Sequence, residues 1–455
     1  MLAQSHISVK QFKMVTQYGI HQVFLASTIS PADPVAPKSA QKEVQYKQKQ
    51  TFNTCCRGNV NNNSPNPLLL PERLQRSVAK LHEALVSGLS SIVDTWWTNE
   101  QATFPRRMPL EPHEEDLLRI CEINARYSIN AQLLAAYGYQ IYEEMAAERG
   151  CVFAGADARK FIKSQLDIFD PKYPIHIVRD QYRTPYIDMF VSFAEQSGRI
   201  SATIIKSADL RLIKSDNSQT GYDLYCLSDK DCPDMVSTDG ERLDRVYQTG
   251  LHLFQHELRS IPTDILRHLA LHCVNDLRSV LLIHDKRILG VLLQELDSLV
   301  SKQVLTPEQA AILRHGVVPT INPGSLELSI LIDQQSRSLI HKDKFIIKPV
   351  RSGRGDEILL GRELSVSQWE SLLLDLRDPG LEPGRTMYII QPLIEQPLFE
   401  LLDHRGEVQS SPLVGSCHLA NGSFAGLGFW RAGGTKICNL NSGGFWMLGV
   451  VARPN

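Results

Sequence analysis

FIIKPVRSGRGDEILLG, residues 345–361, is the most informative segment of this chain. Its apolar start predicts a buried strand that carries Lys348 and stops at Pro349, because proline cannot donate a ladder hydrogen bond. A loop of four residues follows: Ser352, Gly353, Arg354 and Gly355. Its two glycines would let the main chain approach a polyphosphate closely and aim N–H groups at it. The segment therefore predicts a strand followed by a phosphate-binding loop.

The glycine loop differs from the common phosphate-binding motifs. Its order of glycine, lysine and hydroxyl residues is not that of a Walker A loop, and it does not open a helix as a dinucleotide-binding turn does. A tight hairpin is the structural alternative. The sequence that follows favours a binding loop, since Ser365 and Gln368 predict a capped helix and MYIIQPLI, residues 387–394, predicts another strand.

Two lysines follow apolar runs, Lys286 in VLLIHDKR and Lys348 in FIIKP. We interpret both runs as buried strands, and ligands of α/β proteins commonly bind where such strands end. A lysine at that position can meet a phosphate oxygen as a compact charge. For each lysine taken alone, a surface position at a strand exit is the alternative.

A possible metal-binding segment, Glu-Ile-Asn-Ala-Arg, occupies residues 122–126 directly after the apolar run LLRIC. In a strand, alternation puts Glu122, Asn124 and Arg126 on one face. A carboxylate and an amide oxygen suit Mg²⁺, and an arginine beside them suits phosphate. Glu111, one predicted strand earlier, could supply another ligand. A solvated strand face with an ordinary ion pair is the alternative.

Arg431 lies in the glycine-flanked sequence WRAGG, residues 430–434. An arginine in such a connection could stabilise charge on a transferring phosphoryl group, with a structural salt bridge as the alternative. The histidines on predicted helical faces match no metal-binding pattern, and we interpret them as packing or surface residues. They are His252, His256, His268 and His272.

Composition argues against several classes of protein. A net charge of −2 gives no electrostatic reason to expect a nucleic-acid or membrane partner. No apolar stretch approaches the roughly 20 residues that cross a bilayer, and the start of the chain lacks the apolar core of a secretory signal. The nine cysteines form no Cys-x-x-Cys pair, so reduced thiols in a cytoplasmic protein are expected.

The chain of 455 residues divides into four predicted parts. Residues 1–70 are rich in polar residues and predict a disordered tail. Residues 71–150 begin with an amphipathic helix, and residues 151–275 alternate strands with helices, which predicts an α/β layer with a mainly parallel sheet. Within that layer VYQTGLHLFQHEL, residues 246–258, predicts a helix. Residues 276–455 hold the lysine and glycine segments.

Taken together, these segments resemble the ATP-grasp enzymes, in particular the circularly permuted branch that includes glutathionylspermidine synthase-like proteins. In ordinary ATP-grasp ligases a Glu-x-Asn-x-Arg strand closes the domain, whereas here the lysine strand and glycine loop come after it. The resemblance covers most of residues 72–450. It implies a mixed α/β, circularly permuted ATP-grasp fold with a substrate domain of the preceding α/β type. The strand at MLGVV, residues 447–451, and the helix starting near Pro71 should then lie close in space.

The resemblance also assigns the residues that bind ATP. Lys286 and Lys348 would contact the nucleotide, and the main chain from Gln391 to Leu393 would lie along the adenine. The loop would cover the phosphates with Ser352, Gly353, Arg354 and Gly355. The family often has two adjacent glycines before its Arg-Gly pair, and here Ser352 replaces the first.

The remaining residues would act on Mg²⁺ and on the transferring charge. By the resemblance, Glu122, Asn124 and Glu111 hold Mg²⁺, while Arg431 and Arg126 stabilise the phosphoryl group. The implied activity is that of an ADP-forming ligase, which joins a small-molecule carboxylate to an amine through an acylphosphate. One alternative is a catalytically silent ATP-binding scaffold, which the retained Glu122 and Asn124 disfavour. Another is a kinase that stops at phosphoryl transfer.

Overall fold

The structure is a computed structural model. The chain forms two compact units. The first unit comprises Met1–Leu85, Ala131–Leu166 and Ile394–Asn455, and the second comprises Val86–Asn130 and Asp167–Leu393. The residues that the structure describes are 21–22, 46, 63–64, 67–70, 72–96, 98–99, 101–108, 123, 125, 127, 129, 132–148, 153–154, 163–181, 185–197, 201–275, 277–338, 340–351, 355, 357–381, 385–394, 396–420, 422–433 and 443–452.

The helices of the described residues are α1 (Glu72–Asp94), α2 (Phe104–Arg107), α3 (Gln132–Glu148), α4 (Pro185–Ser197), α5 (Gln255–Ser260), α6 (Thr263–His272), α7 (Arg287–Ser301), α8 (Pro307–Gly316), α9 (Leu326–Ser336) and α10 (Val366–Asp375). Short 3₁₀ turns lie at Ser207–Asp209, Lys342–Lys344 and Gly361–Glu363, and a π-helical turn lies at Ser279–Ile283. None of these helices combines the length and apolar character that crossing a membrane requires.

The strands are β1 (His21–Gln22), β2 (Leu68–Leu69), β3 (Phe153–Ala154), β4 (Ile175–Val178), β5 (Ala202–Ile205), β6 (Leu210–Lys214), β7 (Tyr222–Leu227), β8 (Met235–Val236), β9 (Arg242–Arg245), β10 (Gln248–Leu251), β11 (Phe345–Pro349), β12 (Leu359–Leu360), β13 (Tyr388–Pro392), β14 (Phe399–Leu402), β15 (Val408–Ser411), β16 (Leu413–Ala420), β17 (Ser423–Ala432) and β18 (Phe445–Ala452). The fold is therefore mixed α/β, as the sequence predicts.

One sheet of the second unit is built from β12, β11 and β13 in that spatial order, and its strands are antiparallel. Ile347 and Ile390 are paired across β11 and β13 and are fully buried. They belong to a core cluster with Trp369 of α10 and Leu328 of α9. One side of this sheet is therefore covered by helices. The strands predicted at FIIKP and MYIIQPLI are confirmed.

Two further sheets lie in the same unit. β4 lies between β5 and β10, and all three strands are parallel. The other sheet is antiparallel, with the order β6, β7, β9, β8. The parallel sheet predicted for residues 151–275 is thus present, but it is the smaller of the two sheets, and the antiparallel sheet was not predicted.

In the first unit, β18 lies between β17 and β2, and β16 pairs with the other side of β17. The core of this sheet contains Leu427, Trp430, Phe445 and Met447. The hydroxyl of Tyr139 in α3 lies 2.8 Å from the carbonyl oxygen of Gly449 and 3.1 Å from that of Leu427, so this one donor connects the helix to both β17 and β18.

The fold of the first unit begins before Pro71, although the sequence predicts a polar tail over residues 1–70. Leu68 and Leu70 are buried, and β2 pairs in parallel with β18. Helix α1 starts at Glu72, directly after β2. The expected proximity between residues 447–451 and the start of this helix is therefore confirmed. The division of the chain into four parts otherwise stays a prediction.

Two sequence-based assignments are wrong. The run predicted as a helix at residues 246–258 contains β10 first, and only its end forms α5. All four residues of β10 are buried, so the run lacks the alternation that would mark a strand. The run before Lys286, predicted as a strand, is the π-helical turn Ser279–Ile283. A short buried apolar run does not distinguish a strand from a helical turn by periodicity.

Helix caps follow the sequence closely. Thr306 caps α8, with its hydroxyl oxygen accepting the N–H of Gln309 while the Gln309 side chain accepts the N–H of Thr306. Ser365 and Gln368 make the same reciprocal pair at α10. Each pair satisfies two donors that a helix start leaves open.

Candidate active site

The side of the β12-β11-β13 sheet opposite the helix-covered one carries a lysine and a glutamine. Directly paired residues of antiparallel strands point to the same side, and successive residues alternate. Lys348 pairs with Ile389, and Gln391 lies two residues further along β13. These three side chains therefore share one face, which we call the Lys348 face.

Thr320 and Asn322 extend the Lys348 face beyond β13. The residue between them, Ile321, forms a bridge with Ile390 through main-chain hydrogen bonds of 2.9 and 3.1 Å. Antiparallel register then puts Thr320 beside Gln391. Their contact is direct, because Nε2 of Gln391 donates to Oγ1 of Thr320 at 2.9 Å.

The first turn of α7 packs against Asn322. Nδ2 of Asn322 donates to the carbonyl oxygen of Arg287 at 2.8 Å. A Cβ atom added at Gly290 would lie 2.6, 2.7 and 2.8 Å from three side-chain atoms of Asn322, so glycine is required for this approach. The N-terminal end of α7 therefore lies close to the Lys348 face, and Lys286 is the residue before that helix.

Lys286 also lies beside the end of β11. Its main-chain N–H donates to the carbonyl oxygen of Val350 at 3.4 Å, two residues after Lys348. Lys286 is 3% exposed and Lys348 is 6% exposed. The second unit thus brings the two lysine-bearing segments together and holds both residues away from bulk water. Lys286 follows a helical turn, and not a strand as the sequence analysis expected.

Asp285 and Arg287 fix the turn that carries Lys286. Both side chains are fully buried and form a two-point ion pair, with Nε of Arg287 2.9 Å from Oδ1 and Nη2 2.6 Å from Oδ2 of Asp285. Oδ1 also accepts the main-chain N–H of Arg287 at 2.9 Å. A bidentate pair of this kind restricts geometry more than a single contact does. The main chain on both sides of Lys286 is therefore held in place.

His284 connects the same turn to the Glu-x-Asn-x-Arg segment. Its Nδ1 atom lies 3.2 Å from the carbonyl oxygen of Ile123 and 3.4 Å from the main-chain nitrogen of Ala125. One tautomer donates to the carbonyl, and the other accepts from the N–H. The described parts of residues 122–126 thus lie next to the turn that carries Lys286.

Most of the predicted metal and loop residues fall outside the described residues. These are Glu111, Glu122, Asn124, Arg126, Ser352, Gly353 and Arg354. Gly355 is described and has a φ of +81°, in the left-handed region that favours glycine. Among the described side chains, no group of three or more His, Cys, Asp or Glu could hold a metal ion. The predicted magnesium site therefore stays a prediction.

Arg431 belongs to the first unit. It lies on β17, opposite Val414 of β16 and Trp446 of β18, and it is half-buried. Its glycine-flanked sequence predicts a strand connection, whereas Arg431 lies within the strand, one residue before its end. Its role as a phosphoryl-binding arginine stays a prediction.

At the expected adenine hinge, neither Pro392 nor Leu393 has a main-chain N–H group that is available to a ligand. The N–H of Leu393 donates to the carbonyl oxygen of Lys344 at 2.7 Å. Pro392 has no N–H. Donation from these two residues to a base is therefore excluded, and their carbonyl oxygens are what this part of the hinge can offer.

The carboxyl edge of the parallel sheet carries a second group of polar side chains. His252 directly follows β10, and its ring stacks on that of Tyr127 with the centroids 4.2 Å apart. Burial and the charge of Arg179, which follows β4, lower the pKa of His252 to about 3. Nη1 of Arg179 lies 3.3 Å from Oδ1 of Asp188. Ligands of α/β folds commonly bind at such an edge.

Sequence reasoning missed several residues that shape this site. Thr320 and Asn322 reach the site because Ile321, between them, pairs with Ile390 of β13. His284 and Asp285 reach it because they follow a π-helical turn that was predicted as a strand. Their spacing follows no common motif. The one available signal was HDKR itself, in which an acidic and a basic residue flank a lysine directly after an apolar run.

Comparison with solved structures shows the class of fold. A glutathione synthetase-like effector from Globodera pallida, in its apo form, matches with a TM-score of 0.54 over 91% of this chain and 97% of that chain. The two sequences are 10% identical, so the likeness concerns the fold alone. The architecture is that of glutathione synthetase-like proteins, which is an ATP-grasp fold.

Comparison of sequences shows the family. A family model described as the AnkG N-terminal domain matches residues 81–120 and 118–282. The ATP-grasp enzyme ankG from Aspergillus thermomutatus is 34% identical over 485 residues, which cover 95% of this chain and 100% of that protein. The chain belongs to the ATP-grasp enzymes.

Proposed function

We propose that this protein is an ADP-forming ligase that joins a carboxylate to an amine. The observation that carries the proposal is the position of two buried lysines, Lys286 and Lys348, beside one face of an antiparallel sheet. A buried ammonium group interacts strongly with an anion, because little water screens the pair. Two such groups next to a glycine loop suit the phosphates of ATP.

In the proposed reaction, an oxygen of the substrate carboxylate attacks the γ-phosphorus of ATP. The bond between the γ-phosphorus and the bridging oxygen breaks, and ADP leaves with that oxygen. The amine then attacks the acylphosphate carbon, the carbon–oxygen bond to phosphate breaks, and the nitrogen loses a proton. Both steps are group transfers that need no oxidant and no side-chain nucleophile.

The chain's own residues bind the triphosphate and exclude water. Lys286 and Lys348 would neutralise phosphate oxygens, and residues 352–355 would close over them so that water does not hydrolyse the acylphosphate. Arg126 and Arg431 are proposed to stabilise transferring charge. Mg²⁺ would supply further charge neutralisation when bound, with Glu122, Asn124 and Glu111 as its proposed ligands.

The substrate carboxylate is proposed to bind at the carboxyl edge of the parallel sheet. Arg179 offers a guanidinium group there, which matches a carboxylate in shape and charge. Tyr127, one residue after the proposed metal segment, stacks on His252 at this edge. These contacts support a substrate position next to the triphosphate, all within the second unit.

The order of the elements is proposed to be circularly permuted. The parallel pairing of β18 with β2, which directly precedes α1, supports a continuous path between the two ends of the permuted arrangement. A cytoplasmic location is also proposed, since Cys226, Cys232, Cys273 and Cys417 are free thiols.

The decisive experiment is a turnover screen of the full chain with Mg-ATP against pooled amino acids, polyamines and small peptides, with mass analysis of products. ADP together with a new amide is the expected result. ADP with a stable phosphoester would replace the ligase with a kinase. Binding of ATP without turnover of any pool would favour the silent scaffold.

A further inference from the structure

His284 contacts a segment of the second unit that lies 161 residues earlier in the chain. Its Nδ1 atom is within hydrogen-bond distance of the main chain of Ile123 and of Ala125. The residue is 8% exposed, so water does not readily replace a contact that its ring loses. Because both contacts are to main-chain groups, they restrict where the segment lies without involving its side chains.

The π-helical turn before His284 sets the direction of its side chain. The main-chain N–H of His284 donates to the carbonyl oxygen of Ser279 at 3.1 Å, five residues back, where an α-helix would use the fourth. Val280 within the turn is fully buried, and the buried ion pair of Asp285 with Arg287 holds the residues that follow. The ring is therefore held in place from both sides along the chain. Turns of this kind are frequent at functional sites.

The segment that His284 contacts is the one with the proposed metal and phosphate residues. Ile123 and Ala125 lie on either side of Asn124 in sequence, and Lys286 is two residues after His284. The histidine is thus a described side chain that connects the Glu-x-Asn-x-Arg sequence to the turn that carries the lysine.

We propose that His284 is a positioning residue, whose Nδ1 atom holds the main chain of Ile123 and Ala125 beside the turn of Lys286. The Glu-x-Asn-x-Arg segment and the lysine then act on the same triphosphate. The inference rests on the proposed ATP-dependent function and deepens it, because it names the contact that couples two distant segments of the chain. His284 acts through these contacts and does not itself touch the nucleotide.

Two variants distinguish a contact through Nδ1 from packing of the ring. In His284→Asn the terminal amide atoms are attached to Cγ, as Nδ1 is in histidine. In His284→Gln they lie one carbon further out, near the position of Nε2. Both amides offer a donor and an acceptor, but only asparagine places one of them where Nδ1 was. Glutamine is closer to histidine in volume, so it would be the better replacement if packing alone mattered.

Three quantities are measured on the full-length chain: amide hydrogen exchange of residues 122–126 without ligand, affinity for Mg-ATP by isothermal titration, and unfolding temperature. His284→Ala and His284→Gln should each bind Mg-ATP about 10-fold more weakly and exchange these amides about 10-fold faster, as expected for the loss of one hydrogen bond. His284→Asn should stay within about threefold of the wild-type chain in both quantities.

The control is His315→Ala. His315 is exposed on α8 of the same unit, and its Nδ1 atom also lies close to a main-chain oxygen, that of Ala311 at 2.8 Å. This variant removes the same kind of contact at a position far from residues 122–126 in sequence. Exchange of residues 122–126 and affinity for Mg-ATP should both be unchanged.

Rescue by His284→Gln equal to that by His284→Asn would overturn the inference, and so would wild-type values for His284→Ala. In both cases the wild-type chain still binds Mg-ATP, and the proposed function stands. A wild-type chain that binds no ATP would end the proposed function and the inference with it. Should the variants not fold, fast exchange of residues 122–126 in the folded wild-type chain would overturn the inference, and slow exchange would support it.

Discussion

Lys348 is buried and is proposed to bind the phosphates of ATP, so its replacement should change the affinity for the nucleotide. Lys348→Ala removes a buried positive charge from the Lys348 face, so the affinity for Mg-ATP should fall at least 10-fold. A thermal-shift titration measures this, because a ligand that binds the folded state raises the unfolding temperature with its concentration.

The matched control is Lys302→Ala, at the exposed end of α7 in the same unit. This variant should keep the wild-type response to Mg-ATP. An unchanged response of Lys348→Ala, with Lys302→Ala also unchanged, would remove Lys348 from the nucleotide site.

Arg179 makes a prediction about the substrate rather than the nucleotide. Once the screen identifies the acidic substrate, Arg179→Ala should raise the KM for it about 10-fold or more and leave the KM for ATP unchanged. Steady-state kinetics with each substrate varied in turn measures both values.

Arg267→Ala is the control for Arg179. The Arg267–Asp264 pair is exposed on α6, where removing an ion pair changes little. A KM for ATP that rises together with the KM for the acid in Arg179→Ala would argue for a general disturbance of the second unit and against a carboxylate site.

Among the secondary-structure elements, α7 depends on one glycine for its position. A methyl group at Gly290 would collide with the side chain of Asn322, which extends the Lys348 face. Gly290→Ala should therefore displace Asn322 and weaken Mg-ATP binding several-fold, despite the higher helix propensity of alanine. Titration with Mg-ATP and the unfolding temperature together measure the effect.

Gly88→Ala tests whether replacing any glycine within a helix would weaken Mg-ATP binding. Its added methyl group would lie 2.9 Å from the end of the flexible Leu292 side chain, and at ordinary van der Waals distance from Leu299 and Leu305. Nucleotide binding should stay unchanged in this variant. Equal behaviour of the two variants would show that the contact between α7 and Asn322 does not shape the site.

The elements with strong local signals were predictable. The capped helices α8 and α10 carry reciprocal side-chain bonds that the sequence displays directly. β11 ends at a proline, which also marks its boundary. The failures occur where burial removes the pattern, since β10 is buried throughout and the turn before Lys286 is an apolar run without a period.

The candidate site was predictable in its lysines and hinge but not in its supporting contacts. Lys286 and Lys348 stand out because charge directly follows an apolar run. The contact of Gln391 with Thr320 depends on a register between residues far apart in the chain, which no local pattern contains. The antiparallel pairing of the strands within residues 210–245 was also not predicted, because it too depends on register and not on a local pattern.

For the chain as a whole, buried histidines predict sensitivity to acid. Burial, with a contribution from the charge of Lys230, lowers the pKa of His176 from 6.5 to about 4, and that of His252 is lowered to about 3. The folded state therefore binds fewer protons than the unfolded state once the pH falls below 6.5. Stability is retained above that pH and is lost as the pH falls towards 4 and 3.

At pH 5, each of these two histidines should lower the free energy of unfolding by about 2 kcal/mol relative to pH 8. Unfolding temperatures between pH 5 and 8 measure the effect. His252→Gln should flatten this dependence, whereas His341→Gln, at an exposed position, should leave it as it is. An identical slope for the wild-type chain and His252→Gln would contradict the assignment.

The pairing of β2 with β18 has a consequence for how the nascent chain acquires its structure. The segments of the second unit all precede residue 394, so they have left the ribosome before β18 is made. Until that strand is available, the edge of β2 that pairs with β18 has no hydrogen-bond partner. The apolar residues near it, including Leu68, Leu70 and Val78, also lack part of their core. Unpaired strand edges and exposed apolar surfaces of this kind bind chaperones and other unfolded chains. The sheet of the first unit can therefore be completed only after residues 445–452 have left the ribosome.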